Sequence, residues 1–171
     1  LLPSEYFMDR ATLRDLYDLI EADLLDAIGV LPERGALSGN DIGRATKGAA
    51  KALLARLYLF ESSYAANYSG DSRFDGLNER WSDVLSVCEE VIISGEYGLV
   101  GMDGETYNTW HGEETNGYRY LFTVEGENSE ETIFAIQYIN DGEDYTITRA
   151  GSLVQWTSAR YRIGNDGNPT S

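Results

Sequence analysis

The chain has 171 residues, 42% hydrophobic and 25% charged, the balance of a single globular domain with its own core. Its 13 Lys and Arg stand against 29 Asp and Glu, and the net charge of −16 argues against nucleic acid or anionic lipid as a partner. One cysteine (Cys88) and one histidine (His111) leave no internal disulfide, no Cys-x-x-Cys site and no paired-histidine metal site.

The charge is uneven. Residues 1–60 hold nine acids and seven bases, whereas residues 61–171 hold twenty acids and six bases. No apolar run approaches the roughly 20 residues that cross a bilayer. The start, Leu1-Leu2-Pro3, has no initiator Met, and the chain stops in polar GNDGNPTS. Both ends read as cuts, which predicts a piece of a longer protein.

Residues 11–28 predict the first helix. Leu13, Leu16, Tyr17, Ile20, Leu24, Ala27 and Ile28 recur at helical spacing. They span a stripe roughly 120° wide, with Asp15, Asp18 and Asp26 on the water side. Asp9 or Thr12 is placed to cap its start, and Gly29 with Pro32 to end it.

A second helix is expected over 44–60, RATKGAAKALLARLYLF. Ala45, Ala49 and Ala52 make its first half slim enough for close approach, and Leu57, Tyr58 and Phe60 make the second half bulky. Asp23, at the edge of the first apolar stripe, is expected to pair across the interface with Arg44, Lys47, Lys51 or Arg56. Residues 62–80 read as a loop rich in Ser, Asn, Asp and Gly. A third helix over 81–94 places Trp81, Val84, Leu85, Cys88 and Ile92 on one face, ended by Gly95. Cys88 therefore reads as a small core residue.

Beyond Gly95 the pattern changes to turns studded with aromatics. Tyr118–Val124 reads as a short strand or a helical turn, and Thr132–Ile139 as a strand. His111 lacks a nucleophile motif beside it, and no phosphate loop is present. NDGED and GNDGN lack ordered calcium-loop spacing, so no metal or other cofactor is expected. Paired carboxylates for glycoside hydrolysis need a three-dimensional separation that spacing does not give. The loop rings either plug the underside of their own loops or face a ligand. Trp110, Tyr145, Trp156 and Tyr161 are the candidates for stacking on a sugar.

The segment GRATKGAAKALLARLYLF (43–60) closely resembles the signature helix of the SusD/RagB family of Bacteroidota outer-membrane nutrient-binding lipoproteins. LYDLIEADLLDAIGVLP (16–32), WSDVLSVCEEVIISGEYGL (81–99) and NSEETIFAIQY (128–138) are similar to three further segments of that family, in its order. The resemblance implies a mostly α fold of tetratricopeptide-like helical pairs, with irregular loops and short strands. It makes residues 1–171 a fragment of one such domain, helical over 9–95 and aromatic-loop over 96–171. It implies no enzyme activity, but a surface-exposed lipoprotein that captures oligosaccharides for a SusC-like TonB-dependent transporter. The helices would face that transporter, and the lipid anchor would lie upstream of Leu1. Two alternatives stand beside this reading: a helical scaffold without its own ligand, or a binder of other nutrients such as peptides.

Overall fold

The computed structural model describes residues 10–101, 104, 106–108, 114–123 and 125–136. Contacts divide the chain after Ala135, and every described helix and strand belongs to the first of the two units. That unit is mostly helical, as expected.

The first helix, α1, runs Leu13–Val30. Thr12 opens it with a capping box: its hydroxyl accepts from the Asp15 amide at 3.1 Å, and the Asp15 carboxylate accepts from the Thr12 amide at 3.3 Å. The helix stops one residue short of Pro32, with Leu31 already extended. Tyr17 and Leu24 are buried, and Ile20, Ala27 and Ile28 pack beside them. Leu16, assigned to the same stripe, is 44% exposed at its margin.

Helix α2 runs Lys47–Asn67, capped by Thr46, whose hydroxyl accepts from the Ala49 amide. It outlasts the expected stop at Phe60 by about two turns. The extra turns are polar, yet their side chains bond back onto the helix. The Ser62 hydroxyl donates to the Tyr58 carbonyl at 2.7 Å, and the Asn67 amide donates to the Ser63 carbonyl at 2.8 Å. Without Gly or Pro before Gly70, nothing breaks the run.

Helix α3 runs Trp81–Ile93. Arg14 of α1 pairs with Glu61 near the end of α2, whereas Pro32, just past α1, accepts from the Lys47 amide at the start of α2. Lys51 pairs with Glu90, and Arg80 bonds Ser62. Helix α2 therefore runs antiparallel to both neighbours and lies between them. Leu24, Ala50, Leu54 and Tyr58 form the core, flanked by Val84 and Val87 of α3. At roughly 25 cal/mol per Å² of apolar surface, this seam is the main stabilising contact between the helices.

The α3 face differs from expectation. Val84 and Val87 turn toward α2, while Trp81, Leu85, Cys88 and Ile92 point outward and are exposed. The periodicity located the apolar stripe correctly, but the α2 contact falls on its shoulder. Cys88 is thus not a core residue.

After Tyr97 the chain forms a small antiparallel hairpin. Strand β1 (Thr106–Asn108) pairs with β2 (Glu114–Asn116), Thr106 opposite Asn116. The short helix α4, Gly117–Tyr120, follows. Tyr118 therefore takes the helical alternative, and residues 132–136 form no strand. Gly117 packs on Gly101 so closely that a Cβ at either position would lie 2.6 Å from the other's Cα.

Candidate functional site

Two polar assemblies hold the helices and loops in register. The first joins all three helices at the end where α1 begins. Arg14 ion-pairs with Glu61, which is 1% exposed, and also reaches Asp18 at 2.5 Å. Glu61 additionally accepts from the Asn78 amide at 3.1 Å. Arg80 grips Glu21 through contacts of 2.8 and 3.0 Å, reaches Asp83, and lies 4.0 Å over the Tyr58 ring. Tyr58 donates to Glu21 at 2.7 Å. Burial and the Glu21 charge push its phenol up to about 12.

This assembly corrects the expected pairing. Asp23 is exposed and makes no ion pair among the described residues. Arg44 pairs with Asp41, Lys47 with Glu33 and Lys51 with Glu90, while Arg56 lies over the Phe60 ring. The reason is angular. At 100° per residue, Asp23 points roughly 160° away from Glu21, the acid that faces the core.

Burial by itself would raise the Glu21 carboxyl, but hydrogen bonds from Arg80 and Tyr58, with the Arg80 charge, hold it below the ordinary carboxylate value. A depressed folded value gives stability that is present above the unfolded pKa of about 4.3 and is lost as pH falls through the folded one. Glu21→Gln is expected to flatten the acid limb of the stability profile. Urea midpoints between about pH 6 and about pH 3 measure this, and an unchanged acid slope would contradict it.

The second assembly lies at the other end of α2. The Thr46 hydroxyl meets the Tyr97 hydroxyl at 2.9 Å, and Gly48 leaves space for the Tyr97 ring. Arg34 lies 5.7 Å over that ring and donates to the carbonyls of Asn128 and Ser129, both at 2.8 Å. The Glu96 carboxylate accepts from the Gly35 amide at 2.6 Å. Gly98 and Val100 donate to the Glu130 carbonyl and the Glu131 carboxylate. These bonds lay residues 127–135 beside residues 34–46.

Between those two segments is a cavity of about 550 Å³. Leu37, Ile42 and Phe134 supply apolar wall, while Arg44, Glu127 and Asn128 supply polar groups. A mixed lining of this kind suits a small molecule with both polar groups and apolar surface. Among the described residues, no group of three His, Cys, Asp or Glu is placed to hold a metal ion.

The cavity is lined partly by Gly43, Arg44 and Thr46 from one sequence motif and by Asn128, Thr132, Ile133, Phe134 and Ala135 from another. Arg34 and Tyr97, which hold it together, were missed as site residues. The GEYGL stretch carrying Tyr97 was the available signal. The four stacking candidates, Trp110, Tyr145, Trp156 and Tyr161, lie outside the described residues, as does His111.

Residues 3–59 match a protein family described as starch-binding and associating with the outer membrane. The structure is similar to the crystal structure of a SusD-like protein from Bacteroides fragilis, with a TM-score of 0.52 and 30% sequence identity over 75% of this chain. The present chain spans 19% of that protein's length. No curated protein matches the sequence. Among the described residues, no helix is long and apolar enough to cross a membrane.

Proposed function

The chain belongs to the SusD-like family, and from that membership we propose that it is part of a non-catalytic, glycan-binding subunit of an outer-membrane uptake system. The carrying observation is the match of residues 3–59 to a family described as starch-binding. In this reading the complete polypeptide is surface-exposed and lipid-anchored. It captures oligosaccharides and passes them to a SusC-like TonB-dependent transporter. The helical layer, of tetratricopeptide-like pairs, faces the transporter, and Trp110, Tyr145, Trp156 and Tyr161 stack on sugar rings. The mixed lining of the 34–46 and 127–135 cavity is compatible with binding a small molecule.

The complete polypeptide is expected to be retarded in native gels containing soluble starch or another polysaccharide from a panel. Trp156→Ala with Tyr161→Ala is expected to weaken that retardation about tenfold, the equivalent of ~1.4 kcal/mol. Retardation by no polysaccharide, with the transporter still co-purifying, would favour a scaffold instead.

A further inference from the structure

We infer that the cavity between residues 34–46 and 127–135 takes one neutral sugar ring of the captured glycan, with Phe134 as its stacking surface. This rests on the glycan-binding reading and extends it, by assigning contact residues beyond Trp110, Tyr145, Trp156 and Tyr161. At about 550 Å³ the cavity falls inside the roughly 300–1,000 Å³ range of small-molecule sites.

Two sets of side chains carry the inference. The apolar wall includes Ile42 and Phe134, which are 53% and 55% exposed. An aromatic ring beside aliphatic carbon suits the C–H face of a pyranose. The polar wall is more selective, because three of its side chains hold hydrogen-bonding capacity that the fold does not use. Arg44 meets Asp41 through its Nε, which leaves its two terminal nitrogens without a partner among the described residues. The Glu127 carboxylate and the Thr132 hydroxyl also have none among the described residues. A guanidinium, a carboxylate and a hydroxyl supply a donor, an acceptor and a group that is both, the set that adjacent sugar hydroxyls need. Arg34 has a different part. Its bonds to the Asn128 and Ser129 carbonyls fix the wall before a ligand arrives, which lowers the ordering cost of binding.

Charge makes the ring neutral rather than a uronate. In the wall, Arg34 and Arg44 are offset by Glu127 and by Asp41, the ion-pair partner of Arg44. The chain as a whole carries −16, so a further carboxylate meets repulsion where the local charge is already balanced.

The test uses the complete natural polypeptide carrying these residues, with soluble starch, other neutral polysaccharides and polygalacturonate as probes. Phe134→Leu keeps apolar volume but removes the ring face, and Glu127→Ala removes an exposed carboxylate without a structural partner among the described residues. Each is expected to weaken retardation by the neutral polysaccharide that the parent binds by about fivefold, the size of one such contact. Each is expected to keep the parent's melting temperature within about two degrees. The same polysaccharide is expected to slow hydrogen exchange across residues 127–135, and polygalacturonate is not. Unchanged retardation in either variant, or no slowing across 127–135, would overturn the inference while the parent's own binding still upheld glycan capture. Slowing there by polygalacturonate or by a peptide digest, in preference to the neutral probes, would also overturn it. Should Phe134→Leu melt markedly lower, Glu127→Ala and the exchange pattern decide. A parent that binds no polysaccharide would remove glycan capture and this inference together.

Discussion

Arg14→Ala is expected to lower the stability of the folded chain by about 3 kcal/mol or more. The loss does not come from the arginine's own contacts with solvent-facing Asp18. It comes from Glu61, which is almost wholly buried and would be left with the Asn78 amide as its remaining donor. A carboxylate stranded in this way costs far more than the pair contributes when intact. Three further variants separate these effects. Glu61→Gln removes the charge, so adding Arg14→Ala to it is expected to cost much less than Arg14→Ala alone. Replacing the pair with Met at 14 and Leu at 61 is expected to recover most of the stability. Urea denaturation of the parent, Arg14→Ala, Glu61→Gln and their double variant gives the coupling, and strictly additive losses would contradict the buried-charge account.

A second large effect is expected at Gly48. Glycine inside a helix normally costs about 1 kcal/mol relative to alanine, so Gly→Ala in α2 would ordinarily stabilise. Here the sign is expected to reverse, with a net loss of about 1–2 kcal/mol. A Cβ at position 48 would lie 2.4 Å from atoms of the Tyr97 ring. The ring is held by the Thr46 hydroxyl on one side and by Arg34 above it, so moving it disturbs both. In a Tyr97→Ala background the same substitution is expected to become stabilising. Thermal melts of the single and double variants decide this, and a higher melting temperature for Gly48→Ala in the parent chain would refute the packing described.

Gly48 also illustrates what the sequence made legible. The small residues in GRATKGAAKALL predict close approach, and close approach occurs. Its agent is partly a tyrosine side chain from beyond α3, which no helical period reveals. Periodicity located all three long helices, because an apolar stripe at 3.6 spacing is a local property. It places the end of α2 about two turns early, because Ser and Asn favour loops by residue type while their back-bonding onto the helix has no signal in the sequence.

Electrostatic pairing was less legible. Asp23 and Glu21 are two residues apart in an acidic helix, and which one faces a cation depends on a rotation of roughly 160° relative to the partner helices. Arg80, the cation that does meet Glu21, lies in a stretch read as loop. The cavity between 34–46 and 127–135 was not legible as a unit either, since its walls are some ninety residues apart in the chain. The motif segments were visible separately, but their meeting depends on Arg34 and Tyr97, whose partners are mostly backbone carbonyls and a hydroxyl.

Helix α2 has one more consequence, which belongs to biosynthesis. Its outer side carries Leu53 and Phe60, both about half exposed, and its inner side carries Leu54 and Tyr58, so no side of it prefers water. In a newly made chain this segment emerges after α1 and before α3, with half of its eventual cover still missing. During that interval the α2 face that later meets α3 is uncovered, so the segment is open to self-association and to chaperones that shield nascent apolar segments.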